Sequence, residues 1–220
     1  MDVRRNAELE EIVAVGFGGT ESYGFHALEM LQCLAERREG GETGVNSVTC
    51  LRGDAVWKAQ QDGLFDTNLL NAALEHKRQT NGKRPLAKRA KNPVLFSIRY
   101  NDGLRASVLM LSGATAEFSV AWKYKNDSKG QQKIESTLFA LGEGRPYMHF
   151  TDLLLGIEQM MHSGKPAWPV ERTLLTTGVL NAAMISQKQS GKRIETPYLK
   201  IRYRSDWNWK QPRPQEQRFR

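Results

Sequence analysis

His26 is the residue in this chain best placed by type and spacing to do chemistry. It is one of four histidines, the side chains that exchange protons near neutral pH, and Glu29 follows it by three positions. Residues three apart share one face of a helix. The pair therefore has the spacing of an imidazole oriented by a carboxylate, or of half a metal site, which needs three or four ligands in all; a core histidine satisfied by its neighbours has the same spacing. His149, next to Tyr147, is placed to line a pocket. His76 and His162 stand near helix ends, where an imidazole caps carbonyls. Ahead of His26, Gly16-Phe17-Gly18-Gly19 has the composition of a turn whose amides approach an anion. The position three after Gly18 is Glu21, a carboxylate that repels a pyrophosphate, so nucleotide binding is not expected there. Cys33 and Cys50 lack metal or redox spacing and read as small buried hydrophobes.

The elements that must position these residues follow from periodicity. Glu11 to Phe17 is a short apolar run that stops at Gly18-Gly19, as a buried strand does. Phe25, Leu28, Leu31 and Leu34 recur at helical spacing behind Thr20 as N-cap. Val45 to Leu51 alternates like a strand, and Asp54 to Gln61 and Asp66 to Lys77 read as helices opened by aspartate caps. Val94 to Tyr100, the turn Asn101-Asp102-Gly103 and Leu104 to Ser112 form a β-hairpin. Strands over Glu117 to Lys125 and Ile134 to Leu141 continue it as an antiparallel meander. Helices over Tyr147 to His162 and from Pro169 onward, then a strand over Ile194 to Tyr203, complete the body. The fold class is α+β, an open, mainly antiparallel β-sheet with helices packed on one face.

A chain of 220 residues at net charge +8 makes one domain, here residues 1–204 followed by a basic polar tail, 205–220. The charge lies in two segments. Between His76 and Lys91, Lys77, Arg78, Lys83, Arg84, Lys88, Arg89 and Lys91 stand with no acid, and the tail interleaves bases with Trp207 and Trp209. Base–aromatic alternation can grip single-stranded nucleic acid, which makes a nucleic-acid-binding protein the alternative function; the other reading is a solvated loop and a tail packed on its own domain. No stretch reaches the roughly 18 apolar residues of a membrane span, and Ile12 to Phe17 is too short for a signal-peptide core. A cytoplasmic chain with no membrane partner is expected.

Ser22-Tyr23-Gly24-Phe25-His26-Ala27-Leu28-Glu29, the strand-turn-strand from Phe96 to Gly113, and the two helices with their Gly-x-Pro link from Ile157 to Glu195 together resemble the C-terminal domain of the Gfo/Idh/MocA family, the glucose-fructose oxidoreductases and inositol dehydrogenases. The likeness spans roughly residues 11–203 and is closer to an uncharacterised bacterial branch than to the sugar dehydrogenases. It implies a domain that binds a sugar or polyol and forms a homo-oligomer through its sheet, with His26 as the acid or base at the substrate hydroxyl and Gly24 letting the helix approach the ligand. Tyr23 and His149 are further pocket residues. The family's helix start carries an aspartate where this chain has Ser22, which can hold no charge at neutral pH; Glu21 or Glu29 is the candidate replacement. The NAD(P) half of the family is not in this chain, so hydride transfer is expected only with a Rossmann partner domain. The sequence from Val3 to Asn6 enters a strand with no element before it, as if cut at an interdomain joint. A metal-dependent hydrolase or isomerase at His26 is the third reading.

Overall fold

Four consecutive residues fix the centre of the molecule. In β1 (Leu9–Gly16), Ile12, Val13, Ala14 and Val15 are all fully buried. Successive strand side chains point to opposite faces, so this strand must lie inside a sheet covered on both sides. The computed structural model, which describes residues 4–76, 84–125, 133–140, 144–145 and 147–205, places it there. The other strands are β2 (Val45–Arg52), β3 (Val94–Tyr100), β4 (Arg105–Met110), β5 (Phe118–Tyr124), β6 (Ile134–Phe139) and β7 (Ile194–Glu195), and the sheet order is β6-β5-β1-β4-β3-β2-β7. The hairpin β3–β4 forms as the turn predicts. The meander does not continue, because β1 inserts between β4 and β5, parallel to the first and antiparallel to the second. A strand apolar on both faces gains most at the centre.

Helices α1 (Ser22–Ala35) and α6 (Val170–Lys188) cover one face. Ala27, Leu28, Leu31, Leu175, Val179 and Ala183 pack there on Ile12, Ala14, Phe96 and Val108. The class is α+β as expected, but helices lie on the second face as well: α2 (Asp54–Gln61) and α3 (Thr67–Glu75) bring Val56, Ala59, Leu69 and Leu70 onto Val13, Val15, Leu95 and Leu109. Asp66 caps α3, its side chain accepting from the Asn68 amide at 2.7 Å. Asp54 is the first helical residue of α2, behind Gly53, and α1 starts after Glu21 without a side-chain cap. A short helix, α4 (Leu86–Arg89), falls within the basic connector. Helix α5 (Met148–Ser163) keeps Gly156 bare because the Trp168 ring lies on it. The last strand stops early: Pro197, with no N–H for a ladder, opens a 3-10 turn over Pro197–Leu199.

Glu11 shows what burial inside the sheet does to a charge. Its carboxylate is fully buried, accepts from the Asp66 amide at 3.0 Å and pairs with Arg105. Burial raises its pKa above the ordinary carboxylate value, outweighing the pull of Arg105. A carboxyl whose native pKa is raised stabilises the fold fully below its unfolded pKa, and that contribution is lost as pH rises through the native pKa. Glu11→Gln, which does not titrate, should therefore gain stability relative to the parent as pH rises from about 4 to about 7, measured by urea unfolding at each pH.

Candidate functional site

In an open sheet, ligands enter where the chain leaves the carboxyl ends of parallel strands. Among the described residues β1 and β4 are the parallel pair. They end together, the Leu111 amide donating to the Gly16 carbonyl at 2.8 Å and the Gly18 amide to Ser112 Oγ at 2.9 Å. Gly18 has φ +87° and lies against the Tyr23 ring, where a side chain would collide. A shelf of rings results: Tyr23 stacks on Phe118 with centroids 6.4 Å apart and planes within 8°, Phe17 touches both at 5.3 and 5.1 Å, and His26 meets Tyr23 edge-on at 6.1 Å. Tyr23 is 40% exposed, and His26 and Glu21 are exposed beside it.

Of the residues singled out in the sequence, Tyr23, His26 and Glu21 come together at this end of α1. Glu29 turns to α6, accepting from Thr176 and pairing with Arg172 at 3.4 Å. Gly24 is buried over Phe96, whose ring carbon would lie 3.1 Å from a Cβ there, so the close approach it permits in this fold is helix to sheet. His149 sits on α5, with its ring against Tyr147 and Phe150. Among the described residues no three His, Cys, Asp or Glu side chains gather as a metal would need. At the Gly16–Gly19 turn the Gly18 amide is bonded to Ser112, and the Tyr23 and Gly24 amides that open α1 are bonded to the Gly19 carbonyl, so these three donors are already used within the fold.

Sequence reasoning missed the buried network that holds α1 in place, since its members come from four separate segments. Glu42, 2% exposed, accepts from Gln32 Nε2, from both Arg38 Nη atoms at 3.2 Å, and from the Thr43 and Gly44 amides at 2.8 and 2.7 Å. Gln32 accepts from Tyr100 OH and donates to Tyr203 OH, both at 2.9 Å, and Tyr203 donates to Glu36 at 2.8 Å. Arg38 also pairs with Asp102 at 2.6 Å and lies over the Tyr100 ring. Burial works against the Arg38 charge, but Glu42 overcomes it and holds the guanidinium above its usual pKa. Burial first, then Glu42, pushes the Tyr100 phenol up. Cys50 is buried, its thiol pushed up to about 12 by burial, while half-buried Cys33 accepts from Arg172. Glu42→Gln leaves Arg38 buried beside a neutral amide and should cost about 3 to 5 kcal/mol, read by chemical denaturation.

Residues 77–83 of the basic connector and the tail from 206 on, including Trp207 and Trp209, lie outside the described residues. No helix among the described residues is long and apolar enough to cross a membrane. No protein-family model and no curated protein sequence matches the chain. Similar solved structures include an NAD-binding protein from Listeria innocua, at 12% identity and a TM-score of 0.41, covering 86% of this chain and 55% of that one. Another is myo-inositol 2-dehydrogenase from Lactobacillus plantarum, at 11% identity and a TM-score of 0.43, covering 86% and 57%. The chain spans a little over half the length of either protein.

Proposed function

We propose that this chain is the substrate-facing domain of an oxidoreductase-like protein, holding a sugar or polyol against Tyr23 and His26 while a separate NAD(P)-binding domain supplies the redox chemistry. The observation that carries this reading is the exposed Tyr23 ring, backed by Phe118 and edged by the exposed His26 imidazole, at the carboxyl end of the parallel pair. An apolar ring shelf with one polar group at its rim suits a polyhydroxylated ligand, whose C–H faces lie on rings and whose hydroxyls need directed partners. His26 would take and return the proton of the reacting hydroxyl. Ser22 cannot share that task at neutral pH, and Glu21, exposed beside it, is the carboxylate nearest in sequence. The resemblance of residues 22–29, 96–113 and 157–195 to Gfo/Idh/MocA proteins supports the class. The Gly18 amide, bonded to Ser112, and the Tyr23 and Gly24 amides, bonded to the Gly19 carbonyl, support a cofactor site on another domain.

Titration of the purified chain with myo-inositol and with glucose, followed by the NMR signals of the histidine rings and by calorimetry, tests this. His26→Ala should weaken binding about tenfold, the worth of one hydrogen bond in a partly enclosed site, without lowering the Tm, because the imidazole is exposed and among the described residues makes no hydrogen bond to the fold. Equal affinity in the parent, His26→Ala and Tyr23→Ala proteins would overturn the site. Oxidation of either polyol by the chain and NAD alone would overturn the need for a second domain. Binding of single-stranded DNA that falls steeply with salt, with no polyol binding, would give the function to the basic segments.

A further inference from the structure

Helix α5 is held to the molecule by little of its own surface. None of its described side chains belongs to the hydrophobic core on either face of the sheet, and of its described residues Gly156 alone is buried, under the Trp168 ring. A helix of 16 residues is marginal in water unless it buries an apolar face. Such a face is present and open. Phe150, Leu153, Leu154, Ile157 and Met161 fall within one stripe about 100° wide on the helix, and they are 55%, 46%, 61%, 37% and 80% exposed.

The open area of these five residues is about 600 Å², the upper limit for an apolar patch on a monomer. A stable complex buries about 800 Å² on each side, a little over half of it apolar, so the stripe alone supplies the apolar part of one. Its chemistry selects the occupant. Between Met148 and Ser163 stand Asp152 and Glu158 but no lysine or arginine, whereas a helix that lies on an anionic membrane or along nucleic acid needs them. Neither acid falls within the stripe, and Glu158, at its edge, has His162 within 3.8 Å. A stripe that is apolar throughout fits another of its kind. Two α5 helices laid antiparallel with Ile157 at the crossing bring Leu153 of each to the level of Met161 of the other, and Phe150 to the level of Gly164. Gly164 is exposed, with open space where a Cβ would stand, so the one aromatic ring of the stripe meets the position with no side chain. The two helix dipoles then run in opposite directions, and a two-fold pairing closes on itself.

We propose that the α5 stripe is an interface between two copies of this chain, packed antiparallel about Ile157. It is a helix face, distinct from the sheet-mediated association that the family resemblance implies, and it is independent of the polyol reading. Analytical ultracentrifugation of the full chain should show a dimer with a Kd of about 1 μM or tighter, the range that such areas give, and the Tm should rise with protein concentration. Leu154→Glu should raise the Kd at least about a hundredfold, since two-fold symmetry sets the substituted side chain in the interface twice. Met161→Ala, which favours the helix, should raise it about tenfold. Neither residue belongs to the core, so both variants should keep the parent's cooperative unfolding. Tyr198→Glu, at an exposed ring outside α5, should leave the dimer unchanged. A chain that stays monomeric up to about 100 μM overturns the proposal. So does a dimer that Leu154→Glu and Met161→Ala leave as tight as the parent, as one formed through the sheet would be. A monomer that binds phosphatidylcholine–phosphatidylserine vesicles, and loses them on Leu154→Glu, would give the stripe to a membrane and overturns it equally.

Discussion

A single buried carboxylate, that of Glu42, sets where α1 lies. Five donors converge on it: the Gln32 amide, two nitrogens of Arg38 and two backbone amides of its own loop. Removing a charge from water is costly unless its lone pairs are met, and here they are met by groups from α1, from the segment after it and from the turn leading to β2. Gln32 passes the constraint on to Tyr100 at the end of β3 and to Tyr203 in the last segment, and Tyr203 passes it to Glu36. Arg172 then joins Glu36 and Glu29 to α6. The carboxyl half of α1 is thereby fixed to three distant parts of the chain. Its amino end carries Tyr23 and His26, which need only project from a rigid rod to hold their places.

The sheet divides its polar chemistry by end and by face. On the face under α1 and α6 the strands contribute almost only apolar side chains, Phe96, Ile98, Val108 and Val120 among them. On the other, apolar rows under α2 and α3 give way toward the amino end of β1 to the charged row of Glu11, Arg105, Arg99 and Lys123. Glu11 and Asp66 titrate in opposite directions there, although burial opposes the charge of both. Glu11 is raised because burial dominates; Asp66, less buried, is lowered by the Asn68 amide and Lys123.

Local signals were legible in the sequence. The Asn101-Asp102-Gly103 turn, the spacing of Leu28, Leu31 and Leu34, and Asp66 as a cap each act over a few residues and each stands in the structure. Pairing over long distances was not legible. The run from Ile12 to Val15 announced a buried strand but not that its neighbours would be β4 and β5, and the string Ile194 to Tyr203 alternated like a strand while Pro197 ended it. At the candidate site the helical spacing of His26 and Glu29 was real, yet it could not show that Thr176 and Arg172 would claim the carboxylate. Phe118 and Ser112 carried no signal at all, because only sheet register brings them to the β1 turn.

The central position of β1 has a consequence for assembly. Glu11 pairs across the sheet with Arg105, 94 residues further along the chain, and β5, on its other side, ends later still at Tyr124. Until the ribosome has produced both neighbours, the strand that becomes the middle of the sheet has two open edges and apolar side chains on both faces. Loops of that span must close before their contacts stabilise anything. Both edges of β1 thus stay open until β4 and β5 have been made, and for that interval the newborn chain presents the kind of segment that chaperones cover and that, left bare, pairs with other chains.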